Sequence, residues 1–118
     1  MTEIAYFDGR DTEIKGVYNK PFDIVFVNAY LDDIEMKKVT YHELGHKEHT
    51  STDYKYNRER CELQADRNMI HHLIKDALKD LENPKDFNYL NFMNHYDLRT
   101  ITDEIMVKEE FYNLANII

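Results

Sequence analysis

The sequence predicts an α+β fold, a small N-terminal β-sheet of about three strands followed by helices. Three observations carry this. β-branched and aromatic residues dominate short runs as far as Val27, apolar spacing turns helical from Asp32 onward, and Pro21 and Pro84 interrupt the runs rather than lying inside them.

The first strand is Glu3 to Phe7 and the second Thr12 to Tyr18, with Asp8-Gly9-Arg10-Asp11 between them. Gly9 can supply the positive φ of a short turn, so the two strands are expected to pair as a hairpin. After Asn19-Lys20-Pro21, the run Phe22-Asp23-Ile24-Val25-Phe26-Val27 reads as a strand covered on most of both faces, in mid-sheet or against helices. Asp32 with Glu35 has the form of a capping box, and Ile34, Val39, Tyr41 and Leu44 fit a helix to about His49. Thr50-Ser51-Thr52-Asp53 reads as a turn. A long second helix follows from about Asn57 to Leu81, with an apolar stripe of Leu63, Ile70, Leu73, Ile74, Ala77, Leu78 and Leu81, and Asn83-Pro84 stops it. Two shorter helices are expected at roughly Phe87 to Tyr96 and Thr102 to Ala115, the latter with Thr102 as N-cap.

The 118 residues show no composition shift, repeat or linker, so residues 1–118 read as a single domain. Fifteen basic against 23 acidic residues leave a net charge of −8, a field that repels phosphate backbones, and direct nucleic-acid binding is not expected. The apolar stretch from Phe22 to Val27 is too short to span a bilayer or to form a signal-peptide core, so no membrane contact and a cytoplasmic location are expected. The lone cysteine, Cys61, cannot form an intramolecular disulfide.

The chemistry lies in His42-Glu43-Leu44-Gly45-His46. Helical residues four apart share a face, so both imidazoles can converge on one tetrahedral ion, with Zn²⁺ the expected metal. Glu43 stands beside them, placed to take a proton from a metal-bound water as it attacks. A catalytic zinc needs a third protein ligand. His49 lies roughly 10 Å along an unbroken helix from His42 and cannot share the ion from there. Glu62 is the better donor: it opens the second helix, sixteen residues past His46, with Asp66 one turn later to accept the other ring N–H of a ligand histidine. The competing reading of Glu62 and Asp66 is a solvated acidic face at a helix start.

His71-His72 points its rings about 100° apart on a helix and reads as surface. His95 and Tyr96 are candidates for an oxyanion donor, if the C-terminal helices approach the metal. Cys61, next to Glu62, reads as a buried or half-buried thiol.

From Phe22 through the His-Glu-x-x-His motif to Glu62-Leu63-Gln64-Ala65-Asp66, the chain resembles the ImmA/IrrE family of zinc metallopeptidases, over roughly residues 16–74. The resemblance implies a zincin-like fold, zinc held by His42, His46 and Glu62, and Glu43 as the catalytic acid/base. It also implies cleavage of a protein partner, for many members a transcriptional repressor of a phage or mobile element. His49 matches a histidine common after the motif, with no role implied. Where relatives continue into an Ala-rich stretch, this chain has Arg67-Asn68-Met69-Ile70-His71-His72. The competing functions are a non-catalytic metal-containing module that binds a regulator, and a metallohydrolase of non-peptide substrates.

Overall fold

A computed structural model describes residues 1–117. Three strands, β1 (Glu3–Phe7), β2 (Gly16–Asn19) and β3 (Ile24–Asn28), precede helices α1 (Asp33–Leu44), α2 (Ser51–Tyr56), α3 (Arg58–Lys79), α4 (Tyr89–His95) and α5 (Ile101–Ile117), with a 3-10 turn at Pro84–Asp86. This is the predicted α+β order. The chain forms two compact units that divide within α3, one of residues Met1–Met69 and one from Ile70 onward.

In the first unit the sheet order is β1-β3-β2. β3 pairs in parallel with β1, Ala5 opposite Phe26, and antiparallel with β2, Val17 opposite Phe26. The central place of β3 suits its apolar run, and Val25 and Val27 are fully buried while Phe22 is exposed. The expected hairpin of the first two strands does not form. Alternation marks a strand but not its partner, and β1 and β2 flank β3 instead. Residues 8–15 therefore pass around the end of β3, held by Asn28. Its side-chain amide donates to the Gly9 and Ile14 carbonyls at 3.2 and 3.0 Å, and its backbone N–H donates to Lys15 O. Gly9 serves this crossing by its lack of bulk, because a Cβ there would lie 2.1 Å from the Asn28 amide, and its φ is not positive.

Helix α1 starts as predicted, Asp32 accepting from the Glu35 N–H at 2.8 Å, although Glu35 turns its own carboxylate to Lys15 and Lys38. It ends at Leu44, short of the expected His49. Beyond it the backbone closes into tighter i→i+3 bonds, His46 N–H to Glu43 O, Lys47 N–H to Leu44 O and His49 N–H to His46 O. The predicted turn at 50–53 is the start of α2, where Thr50 and Asp53 form a reciprocal capping box.

In the second unit, Ile70, Leu73, Ile74 and Val107 are fully buried, with Leu78, Phe92, Met93, Tyr96, Leu98, Met106 and Leu114 nearly so. Phe87 stacks on Phe111 at 4.6 Å. Of the predicted stripe on the long helix, Leu63 is exposed, and Cys61, Ala65 and Met69 are buried in its place. The last helix is capped by Thr100, not Thr102: Thr100 Oγ1 accepts from the Asp103 N–H and Asp103 Oδ2 from the Thr100 N–H.

Candidate metal centre

The motif helix and α3 meet at unusually close range. A Cβ on Gly45 would lie 2.8 Å from Ala65 Cα and 3.1 Å from Asn68 Cβ, so the smallest residue on one helix faces a small one on the other. Asn68 Nδ2 donates to the Tyr41 carbonyl at 2.9 Å, a second bond on a carbonyl that also accepts from the Gly45 N–H at the end of α1. That approach places Glu62 and Asp66 beside the motif.

His42 Nε2 and His46 Nε2 lie 3.4 Å apart, and Glu62 sets Oε2 at 3.1 Å from the first and Oε1 at 3.3 Å from the second. Among the described residues, these three form the group able to hold a metal ion. Ligand atoms about 2.0–2.1 Å from a tetrahedral zinc sit roughly 3.3 Å from one another. The observed spacings match that, and the donor set of two imidazoles and a carboxylate suits zinc, so the residues fit the ion.

Each of the three has a further partner on its outer side. The His42 Nδ1 is 2.8 Å from Asp66 Oδ1, to which it donates. For His46 the Nδ1 is 3.0 Å from His49 Nδ1, and His49 Nε2 is 2.7 Å from Gln64 Oε1. Glu62 Oε1 accepts from the Tyr54 hydroxyl at 2.7 Å, and the Tyr54 ring packs edge-on to His46 at 5.6 Å. Tyr54, Gln64 and Asn68 are absent from the sequence expectation, because each reaches the site through a tertiary contact that no local pattern announces. Gly45 is different: a glycine near the end of a helical pattern signals a C-cap, the place it takes after Leu44.

His49 also departs from expectation. On an unbroken helix it would have been carried away from the site. The tightened turn after Leu44 brings residues three apart nearly into line, and the His46 and His49 rings are 5.2 Å apart. Lys20 fixes this turn by donating to the Lys47 and His49 carbonyls at 3.1 and 2.9 Å.

The electrostatics divide the roles. Burial works against protonation of His42, but the hydrogen bond to Asp66 and the charges of Asp66, Glu43 and Glu62 outweigh it and raise its pKa. Burial lowers that of His46 and so favours a neutral ring with a free lone pair. Glu43 is pushed up, chiefly by burial with help from Glu62, against the opposing effect of His42. A carboxylate shifted this way is a stronger base.

These groups open on a cleft of about 770 Å³, whose other wall is Val17 to Pro21 and whose rim includes Thr50, Ser51 and Tyr54. On that wall Tyr18 donates to Asp23 at 2.6 Å, and this bond pushes the phenol pKa up to about 12. His95 and Tyr96 belong to the second unit, where His95 is exposed and Tyr96 is buried against Phe92. His71 and His72 are half-buried there with rings 5.1 Å apart, closer than adjacent helical positions suggested, and His71 Nδ1 pairs with Glu110 at 2.9 Å.

Comparison with known proteins gives one positive result. The model of the Peptidase_M78 family, described as the IrrE N-terminal-like domain, matches residues 2–111. No curated protein and no solved structure matches the chain.

Proposed function

The chain belongs to the IrrE N-terminal-like peptidase family, and from that premise we propose that it is a zinc-dependent endopeptidase acting on a protein partner. The observation that carries this reading is the convergence of His42 Nε2, His46 Nε2 and the Glu62 carboxylate at ligand spacing, with Glu43 beside them on the wall of an open cleft. In this reading His42, His46 and Glu62 hold the ion and Asp66 orients His42 through Nδ1.

When bound, zinc supplies a Lewis acid that polarises a carbonyl and acidifies water. Glu43 then takes the proton of the attacking water and delivers it to the departing amide nitrogen. Its half-buried place and raised proton affinity suit both halves of that transfer. The cleft is open enough for an extended segment of another chain, and Tyr18 presents a neutral phenol there. A surface of net charge −8 disfavours a route to the target through DNA. The family resemblance makes a transcriptional repressor the proposed substrate, in the cytoplasm, with the region from Phe87 onward a further surface for recognition.

A non-catalytic module with the same metal is the competing reading, and Glu43 separates the two, since a purely structural site has no use for that carboxylate. The test is incubation with repressors encoded beside this chain, followed by mass spectrometry of the fragments. Glu43→Gln should keep zinc and fold while cleavage falls about 10²- to 10⁴-fold. Undiminished cleavage by Glu43→Gln would reject the base assignment. Equal zinc content in wild type and His46→Ala would reject the ligand set.

A further inference from the structure

His42 and His46 both aim Nε2 at the same point, yet their outer nitrogens are held by different chemistry. For His42 the partner is a carboxylate. For His46 it is a second histidine, which itself ends on a side-chain amide oxygen. A neutral imidazole carries a proton on one nitrogen and a lone pair on the other, and a hydrogen bond between two imidazoles needs one of each. Gln64 Oε1 has only lone pairs to offer, so His49 Nε2 carries the proton and His49 Nδ1 is an acceptor. The proton in the 3.0 Å contact then belongs to His46 Nδ1, and the His46 Nε2 lone pair is left facing His42 and Glu62.

We propose that His49 and Gln64 are positioning residues for the metal ligand His46, a neutral Gln–His–His relay that sets its tautomer and its ring angle. This inference rests on the metal reading of the site. Two features support it independently of that reading. The turn carrying His49 is pinned from outside by Lys20, on the carbonyls of both Lys47 and His49, and the next residue, Thr50, is locked in the capping box of α2. His49 is thus placed by backbone bonds from outside the metal group, independently of any ion. The relay also ends on an uncharged amide where Glu43, Glu62 and Asp66 already bring three carboxylates, so it orients His46 without adding a fourth negative charge beside the cleft.

The test combines tautomer and affinity measurements on the full chain. With ¹⁵N-labelled histidine at pH 8, long-range proton–nitrogen correlations on the metal-free protein should show His49 protonated at Nε2 and His46 at Nδ1. In Gln64→Leu the His49 tautomer should become mixed, whereas Gln64→Glu, which keeps an acceptor oxygen, should preserve it. Zinc Kd from chelator competition should rise about 10- to 100-fold in Gln64→Leu and His49→Ala and stay near wild type in Gln64→Glu. Gln64 is exposed, so its substitution leaves folding intact even if His49→Ala does not fold. His49 protonated at Nδ1 in the wild type, or a normal wild-type zinc affinity unchanged in Gln64→Leu, would overturn the relay alone. A wild type that takes up no zinc would bring down the metal reading and the positioning role with it.

Discussion

Residues 1–69 and those from Ile70 onward are held together by different forces. In the first unit α1, which carries His42 and Glu43 of the motif, buries none of its residues. It is tied by directional polar bonds: the Asp32 cap, Glu35 to Lys15 and Lys38, Asn68 to Tyr41 O, and Asp66 to His42. The second unit is built on Ile70, Leu73, Ile74, Val107 and their aromatic neighbours, with the buried Glu110 matched to His71. Polar ties fix angles but each adds only about 0.5–1.5 kcal/mol net, whereas burying one large aliphatic side chain contributes about 1.5–3 kcal/mol. The difference teaches that precision and stability are supplied in different places. The motif is oriented by a helix none of whose side chains is fully buried, and an ion shared by α1 and the start of α3 would add a tie where directional polar bonds carry most of the positioning.

The sharpest way to break this contrast is to remove the metal. With zinc about 1,000-fold above its Kd, chelation should cost about 4 kcal/mol. Hydrogen exchange should show the loss in α1, with the amides around Leu73 keeping their protection. Full protection of α1 after chelation would erase the distinction. Leu73→Ala should do the reverse, lowering stability by about 3 kcal/mol through a cavity in the second unit, with zinc affinity by chelator competition unchanged. Gly45→Ala comes next, at about 2 kcal/mol of overpacking against Ala65. Unlike Leu73→Ala it should weaken zinc binding, because it moves the two histidines relative to Glu62. The smallest effect is expected at the start of the last helix. Thr100→Ala should cost about 1 kcal/mol by denaturant unfolding, and Thr102→Ala less than about 0.5 kcal/mol.

What the sequence made legible follows from which interactions are local. His42, Glu43 and His46 share a face because of helical geometry, and the run Ile24 to Val27 announces a central strand by composition. Strand partnership is not local, and the expected hairpin failed because the Asn28 side chain, far along the chain, organises the loop around Gly9. Thr50 and Thr100 each lie three residues before an aspartate that returns the bond, a pattern present in the sequence but overlaid by turn chemistry at 50–53 and by the rival Thr102 before Asp103 and Glu104. An unbroken helix would carry His49 away from the ion, and the tightening after Leu44, which no residue pattern announces, turns it toward His46. Tyr54 and Gln64 were illegible because nothing near them in sequence marks the residues they touch.

The central strand of the sheet is the last of the three to be made. β1 and β2 each pair with β3 and not with one another, so a nascent chain ending at Asp23 has two lone strands and no ladder to form. Asn28, the final residue of β3, is also the clasp of the 8–15 crossing, so strand pairing and loop closure depend on the same residue. α1 packs on β2 and β3, so the helix that carries His42 and Glu43 rests on a sheet that is complete only once β3 is in place.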